Sequence, residues 1–202
     1  MNNYLRIVFA ITLFALNISI HAAAPKPSGY LPDYDIMVEG EYLEAYWVDI
    51  AKVRRSQIPQ FQLGEIETIS LEDKKHVMVA DVVSWLIDDL LVQTVITSED
   101  NAQYRLDVAI THMDPGSRAK RLWAGEFGAG HAQLQIEGKV IDKSNGEVVA
   151  TFAERRRSSG ALGAEDVLAD AGPTIMNHLT RLISEDISNE LLASFIERPR
   201  GN

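Results

Sequence analysis

Two runs of alternating apolar and polar residues, joined by an Asn-Gly turn, constrain the fold of this chain more than any other feature. The first run covers residues 132–142 and the second covers residues 148–154. Alternation with a period of two is typical of strands that have one face on a core and the other in water. Asn145 and Gly146 favour the positive φ angles of a tight hairpin turn. The pattern therefore predicts an antiparallel β-hairpin.

Two more strands and two helices are predicted around this hairpin. Residues 46–53 and 104–113 alternate in the same way as the hairpin strands. Apolar residues recur at helical spacing over residues 71–93, where Ser70 is suited to cap the helix, and again over residues 164–196. The predicted order is strand, helix, three strands, helix.

The intervening residues 57–69 contain Pro59 and Gly64 and are predicted to form a loop. Because each predicted strand has one apolar face and one polar face, helices are expected to cover the sheet on one side only. We therefore predict an α+β fold, a two-layer sandwich in which helices cover one face of a mostly antiparallel sheet of about four strands.

Residues 1–23 have the pattern of a secretory signal peptide. A short, positively charged start precedes an apolar stretch over residues 7–20, and a run of alanines follows. The apolar stretch is short for a membrane span, which needs about 20 residues. We expect cleavage after Ala22 or Ala23, with an uncleaved N-terminal anchor as the alternative. The mature protein is then expected to be secreted, to be periplasmic if the source is Gram-negative, and to lack a transmembrane span.

The remainder of the chain divides into three parts. Residues 24–40 are rich in proline and are predicted to be an extended leader. Residues 41–197 contain the predicted strands and helices and are expected to form a single α+β domain. Residues 198–202 are predicted to be a tail.

Composition excludes several classes of function. Among 202 residues, 46% are hydrophobic and 24% are charged, which is typical of a globular protein. The chain has no cysteine, which excludes disulfides, thiolate metal ligands and cysteine catalysis. Its formal net charge is -10, and loss of Arg6 with the signal peptide makes the mature value -11. Bulk electrostatic binding of nucleic acid is therefore excluded, because such binding needs a dominant cationic surface.

Several short strings resemble known families of envelope proteins. The segment 28–34 (SGYLPDY) resembles the opening of a family of proteobacterial envelope proteins of unknown function, many of them lipoproteins. The strings at 106–115 (LDVAITHMDP), 128–130 (GAG) and 142–148 (DKSNGEV) look like a related domain-of-unknown-function family. The resemblance implies an envelope location and an α/β fold similar to that of outer-membrane assembly lipoproteins. This chain departs from the lipoprotein members because it lacks the lipidated cysteine.

Enzymatic interpretations rest on a small group of residues. His112, Asp114 and His131 supply nitrogen and oxygen ligands that would suit a metalloenzyme if they converged with Glu126. His112, Asp114 and Ser117 also have the residue types of a hydrolase's catalytic triad. Their spacing matches no metal or hydrolase motif, so no metal, cofactor or catalytic residue is predicted. A hydrolase or metalloenzyme built on this region is kept as the alternative function.

Basic residues follow three of the four predicted strands. If the predicted crossover makes strands one, two and four end at the same edge of the sheet, these residues share one rim. We predict that this cationic rim, with two glycines beside it, binds an anionic partner such as an envelope protein or another anionic envelope component. The predicted ligand-binding residues are Arg54, Arg55, Arg118, Lys120, Arg121, Arg155, Arg156, Arg157, Gly128 and Gly130. The alternative is that acidic neighbours pair with them, so that they only keep the edge soluble.

The sequence thus predicts a secreted binding or assembly module of the envelope, of unknown ligand and without catalytic activity. Self-association is a further prediction. It would use the polar face of the central strands, which carries Arg105, Asp107, Thr111, Gln133 and Gln135.

Overall fold

The computed structural model describes residues 20–22, 24–54, 59–69, 76–117, 130–158 and 171–196. Within these ranges the chain forms seven strands and two helices. The strands are β1 (Ile20–Ala22), β2 (Ala45–Val48), β3 (Phe61–Thr68), β4 (Ile96–Thr97), β5 (Tyr104–Asp114), β6 (Gln133–Asp142) and β7 (Val148–Ser158). The helices are α1 (His76–Val92) and α2 (Ala171–Phe195).

The described strands form one mixed sheet in the order β1-β7-β6-β5-β3-β4, and β2 pairs with β7 beside β1. Strands β5, β6 and β7 are antiparallel neighbours, whereas β3 runs parallel to both β4 and β5. The prediction of a mostly antiparallel sheet of about four strands is therefore wrong. The sheet is larger and mixed because β1, β3 and β4 lie in segments where the sequence pattern indicates no strand.

Strand β3 was not predicted because its apolar and polar residues do not alternate regularly. Its pairing with β5 shifts register between Leu63 and Ile66, so a bulge interrupts the period of two. Gly64 lies at this irregularity, and a Cβ on it would come within 2.0 Å of Asp107 Oδ1. Gly64, which in the sequence indicates a loop, is therefore a point where two strands approach each other closely.

The predicted hairpin is confirmed and forms the centre of the sheet. Strands β6 and β7 pair from Gln133 opposite Arg157 to Ile141 opposite Val148. Gly146 has a φ of 76° in the connecting turn, the positive value that the Asn-Gly pair predicts. Gly138 lies against the ring of Phe152, since a Cβ at that position would be 2.2 Å from Cζ.

Both helices pack on the apolar face of this sheet. The core contains residues predicted to point inward, among them Leu106, Val108, Leu134 and Ile136, together with the apolar stripes of α1 and α2. At one end of the core, the rings of Phe61, Tyr104 and Phe195 contact one another with centroids 4.9–5.6 Å apart. Neither helix within the described residues is long and apolar enough to cross a membrane.

The opposite face of the sheet is covered by the leader. Tyr30 and Leu31 are buried against Ala109 and Ala153 on that face. Lys139 places its Nζ 3.7 Å from the centre of the Tyr30 ring. The segment predicted to be an extended leader is therefore packed against the sheet as a third layer.

Candidate functional site

The predicted cationic rim is divided between the two ends of the sheet. Arg54 donates a hydrogen bond from Nη2 to Asp142 Oδ2 at 2.9 Å, at the hairpin end of β6. Arg155 and Arg157 lie opposite Gln135 and Gln133, at the other end of β6. At about 3.3 Å per residue, Asp142 is separated along β6 by about 23 Å from the position of Arg155 and by about 30 Å from that of Arg157. The expectation that Arg54 shares an edge with the other arginines is wrong.

The physical reason is the direction of β2. This strand runs antiparallel to β7, with Val48 opposite Ala150 and Ala45 opposite Ala153. Its carboxyl end therefore points towards the hairpin turn, and the residues that follow β2 lie there too. The predicted crossover to a parallel strand does exist, but β3, rather than β2, pairs with β5.

Arg155 and Arg156 both contact side chains of the protein itself. Arg155 is 7% exposed and donates from Nη2 to Gln133 Oε1 at 2.5 Å. Burial, followed by the charge of Arg157, lowers the pKa of Arg155. Arg156 points to the helical side, where its guanidinium lies 2.8 Å from Glu154 Oε1 and 2.6 Å from Asp186 Oδ2. The predicted strand ended at Glu154, whereas β7 continues through all three arginines.

Ser117 and Gly130, which flank the other predicted basic residues in the sequence, lie at the same end of the sheet. Ser117 donates its backbone N–H to the Gly130 carbonyl at 3.0 Å, and Gly130 has a φ of 77°. This bond joins Ser117 and Gly130 near the end of β5. Five predicted rim residues lie outside the described ranges: Arg55, Arg118, Lys120, Arg121 and Gly128.

The residues of the alternative enzymatic interpretation lie at this end too. His112 is opposite Gln135 and Asp114 is opposite Gln133 across the β5–β6 pair. His131 is buried, and its Nδ1 contacts the Ser158 carbonyl oxygen. In the described ranges, no group of three or more histidines and carboxylates is arranged to hold a metal ion. Glu126 lies outside these ranges, so the enzymatic interpretation stays a prediction.

A buried carboxylate with several hydrogen bonds is one that the sequence did not single out. Glu137 in β6 is 0% exposed and accepts four hydrogen bonds. Thr111 and Gln135 donate to its Oε1 at 2.9 and 2.8 Å. Ser28 Oγ and Tyr34 OH of the leader donate to its Oε2 at 2.9 and 2.6 Å. The carboxylate thus joins two strands of the sheet to the leader.

Tyr34 extends this connection into the leader backbone. Its hydroxyl oxygen accepts the N–H groups of Ser28, Gly29 and Leu31 at 3.1–3.2 Å. The Tyr34 hydroxyl group therefore holds the backbone of residues 28–34 in a closed loop and also donates to Glu137. The segment that resembles the opening of envelope proteins is, in this structure, a compact loop anchored on a buried carboxylate.

A second buried carboxylate, Glu154 in β7, holds the start of β2. Its Oε2 accepts the backbone N–H of Glu44 at 2.7 Å. Burial raises the pKa of Glu154 to about 7, although the Glu44 N–H and the charge of Arg156 oppose the shift. Burial likewise raises the pKa of Asp186, against the effect of Arg156.

A third buried carboxylate, Glu190 in α2, holds the chain just before β2. Its Oε2 accepts the N–H groups of Tyr42 and Leu43 at 2.7 and 3.3 Å. A Cβ on Gly40 would lie 2.5 Å from the same oxygen, so a larger residue at this position would displace the Glu190 carboxylate. Glu137, Glu154 and Glu190 together hold residues 28–44 to the body of the fold, and we call them the anchoring carboxylates.

The covering leader also changes the polar face proposed for self-association. Thr111 and Gln135 are 8% and 1% exposed beneath the leader, and Gln135 exchanges hydrogen bonds with the backbone N–H and carbonyl of Lys26. Arg105, at the other end of β5, is exposed. Only part of the predicted self-association face therefore meets solvent.

Comparison with known proteins gives a family and distant structural neighbours. PelC, a dodecamer from Paraburkholderia phytofirmans, is 13% identical, and the match covers 72% of this chain and 93% of PelC with a TM-score of 0.39. A minor lipoprotein from Acinetobacter baumannii is 14% identical, with 73% of this chain and 100% of that chain covered and a TM-score of 0.37. No curated protein matches the chain. A family model described as "Domain of unknown function (DUF4410)" matches residues 51–164, which is more than half of the sequence. The protein therefore belongs to the DUF4410 family.

Proposed function

We propose that this protein is a secreted module of the cell envelope that acts by binding a partner and not by catalysis. Support for secretion comes from the signal-peptide pattern of residues 1–23. In a Gram-negative source, cleavage after Ala22 or Ala23 releases the mature chain into the periplasm.

The observation that favours binding over catalysis is that the anchoring carboxylates are occupied by hydrogen bonds within the protein. Buried carboxylates are common candidates for catalytic groups. Here Glu137, Glu154 and Glu190 each accept hydrogen bonds from the leader or the chain before β2. Their oxygens accept hydrogen bonds that hold one segment of the chain against another, as expected of carboxylates with a structural role.

The proposed binding surface is the end of the sheet at Arg157. Arg157 is partly exposed, and the basic residues Arg118, Lys120 and Arg121 follow Ser117 by one to four positions. The Ser117–Gly130 bond holds the two residues that flank this segment together at the end of the sheet where Arg157 lies. An anionic envelope component suits such a region on a protein whose overall charge is negative.

The test is a combination of fractionation and crosslinking. We expect the periplasmic protein to have an intact mass that corresponds to a start at Ala23 or Ala24. A photoreactive residue in place of Arg157 should crosslink to an anionic envelope component, whereas the same residue in place of the exposed Arg181 on α2 should not. A protein that stays in the cytoplasm, or identical adducts from both positions, would contradict the proposal.

A further inference from the structure

One edge of β7 is covered by two short strands. Strand β6 pairs with β7 along its other edge, over Val148–Arg157. On the remaining edge, β2 pairs with residues 150–153 and β1 pairs with residues 156–158. The second pairing places Ile20 opposite Ser158 and Ala22 opposite Arg156, in antiparallel direction.

The strand that covers residues 156–158 lies inside the predicted signal peptide. Cleavage after Ala22 or Ala23 removes all three residues of β1 from the mature chain. The leader stays in place after this cut, because the backbone of Lys26 is hydrogen-bonded to Gln135 and Tyr34 to Glu137. Among the strands of the described residues, none then lies beside β7 at residues 156–158 on this edge. An edge of this kind is a template for strand addition.

Charge decides which strand fits the edge. Residues 155–157 are three consecutive arginines, with Arg155 and Arg157 on the leader face and Arg156 on the helical face. A second copy that paired through the same edge would place these arginines opposite one another, and like charges directly opposite destabilise a strand pair. Acidic side chains on an added strand are favourably placed beside Arg157.

We propose that cleavage of the signal peptide opens the β7 edge at residues 156–158, and that an extended acidic segment of a partner protein adds there as an antiparallel strand. This inference rests on the proposed function, because it needs secretion and cleavage. Main-chain hydrogen bonds would supply the affinity, and the arginines would select the sign of the partner's charge. Strand β1 occupies the same position in the uncleaved chain and so blocks it.

The test uses the mature protein from the periplasm and two nine-residue fluorescent peptides. One peptide alternates aspartate with valine, and the other alternates lysine with valine. We expect the aspartate peptide to bind about tenfold more tightly, as measured by fluorescence anisotropy at low salt. Methylation of alternate backbone nitrogens on its pairing edge should abolish binding. Amide hydrogen exchange in residues 155–158 should slow when the aspartate peptide is added.

A matched pair of variants locates the site. Arg157→Glu should weaken binding of the aspartate peptide about tenfold, whereas Arg181→Glu on the exposed side of α2 should leave it within about twofold. Equal binding of both peptides, or unchanged exchange in residues 155–158 of a correctly cleaved protein, would overturn the inference alone. An intact mass that still includes residues 20–22 would instead show that the proposed function fails, and the inference with it.

Discussion

The loop around Tyr34 allows a quantitative prediction about the leader. In Tyr34→Phe, Glu137 loses the hydrogen bond of 2.6 Å, and three backbone N–H groups lose their acceptor. A hydrogen bond to a charged group contributes about 2 kcal/mol, and partly solvated N–H groups add about 1 kcal/mol together. We expect Tyr34→Phe to lower the free energy of unfolding by about 3 kcal/mol.

The partner substitution is Glu137→Gln. A glutamine keeps the size of the side chain but replaces one acceptor oxygen with an amino group and removes the charge. Thr111 and Gln135 can still donate to the remaining oxygen, so we expect a loss of about 2 kcal/mol. Both single variants weaken the same Tyr34–Glu137 bond. The double variant should therefore lose about 1.5 kcal/mol less than the sum of the two single losses.

The assay is urea unfolding of the mature protein followed by circular dichroism, at constant pH and with m-values compared. Tyr42→Phe is the matched control, because Tyr42 lies in the same N-terminal segment but is 40% exposed. We expect this control to change the free energy of unfolding by less than about 0.5 kcal/mol. The reasoning is refuted if the losses in Tyr34→Phe and Glu137→Gln add within about 0.5 kcal/mol, or if Tyr34→Phe behaves like Tyr42→Phe.

Three further predictions concern β6 and β7. Gly138→Ala should cost about 2 kcal/mol in urea unfolding, because its Cβ would overlap the Phe152 ring, and Phe152→Leu in the same chain should recover part of that loss. The pKa of Glu154 is raised to about 7, so between pH 4.5 and 7 the folded protein keeps a proton on Glu154 that the unfolded chain releases. The contribution of Glu154 to stability is therefore present below pH 4.5 and lost as pH rises through 7. Glu154→Gln should therefore flatten the decline in stability over that window, to which Asp186 contributes in the same direction. Arg156→Gln should cost about 3 kcal/mol at pH 8, where it leaves the buried Glu154 and the partly exposed Asp186 without their ion-pair partner, and clearly less at pH 5. An equal loss at both pH values would contradict the ion-pair assignment.

The part of the fold that sequence reasoning captures is the part governed by local periodicity. The hairpin of β6 and β7, the strand β5 and both helices follow from alternation or from helical spacing of apolar residues. The inward face was also correct, with Leu106, Val108 and Leu134 in the core. The resemblance to a family of unknown function agrees with the DUF4410 match, whereas the motif strings on which it was based stay untested.

What failed depends on contacts between distant parts of the chain. Strand β3 was missed because the bulge near Gly64 interrupts its alternation. The rim was misplaced because strand order decides which strand ends meet, and β2 pairs with β7 rather than with β5. Glu137 was not singled out, because nothing near it in sequence indicates that Ser28 and Tyr34 cover it from more than 100 positions away. A polar strand face opposite a tyrosine-rich leader is the one available signal, and it is weak.

Backbone hydrogen exchange of residues 28–34 in the mature protein tests most directly whether the anchoring carboxylates make the leader part of the fold. The Leu31 amide, which donates to Tyr34 OH at 3.2 Å, should exchange at least about 100-fold more slowly than in an unstructured peptide. Tyr34→Phe should remove most of that protection while the amides of β6 stay protected. Exchange of residues 28–34 at the rate of an unstructured peptide in the unmodified protein would contradict the anchored leader.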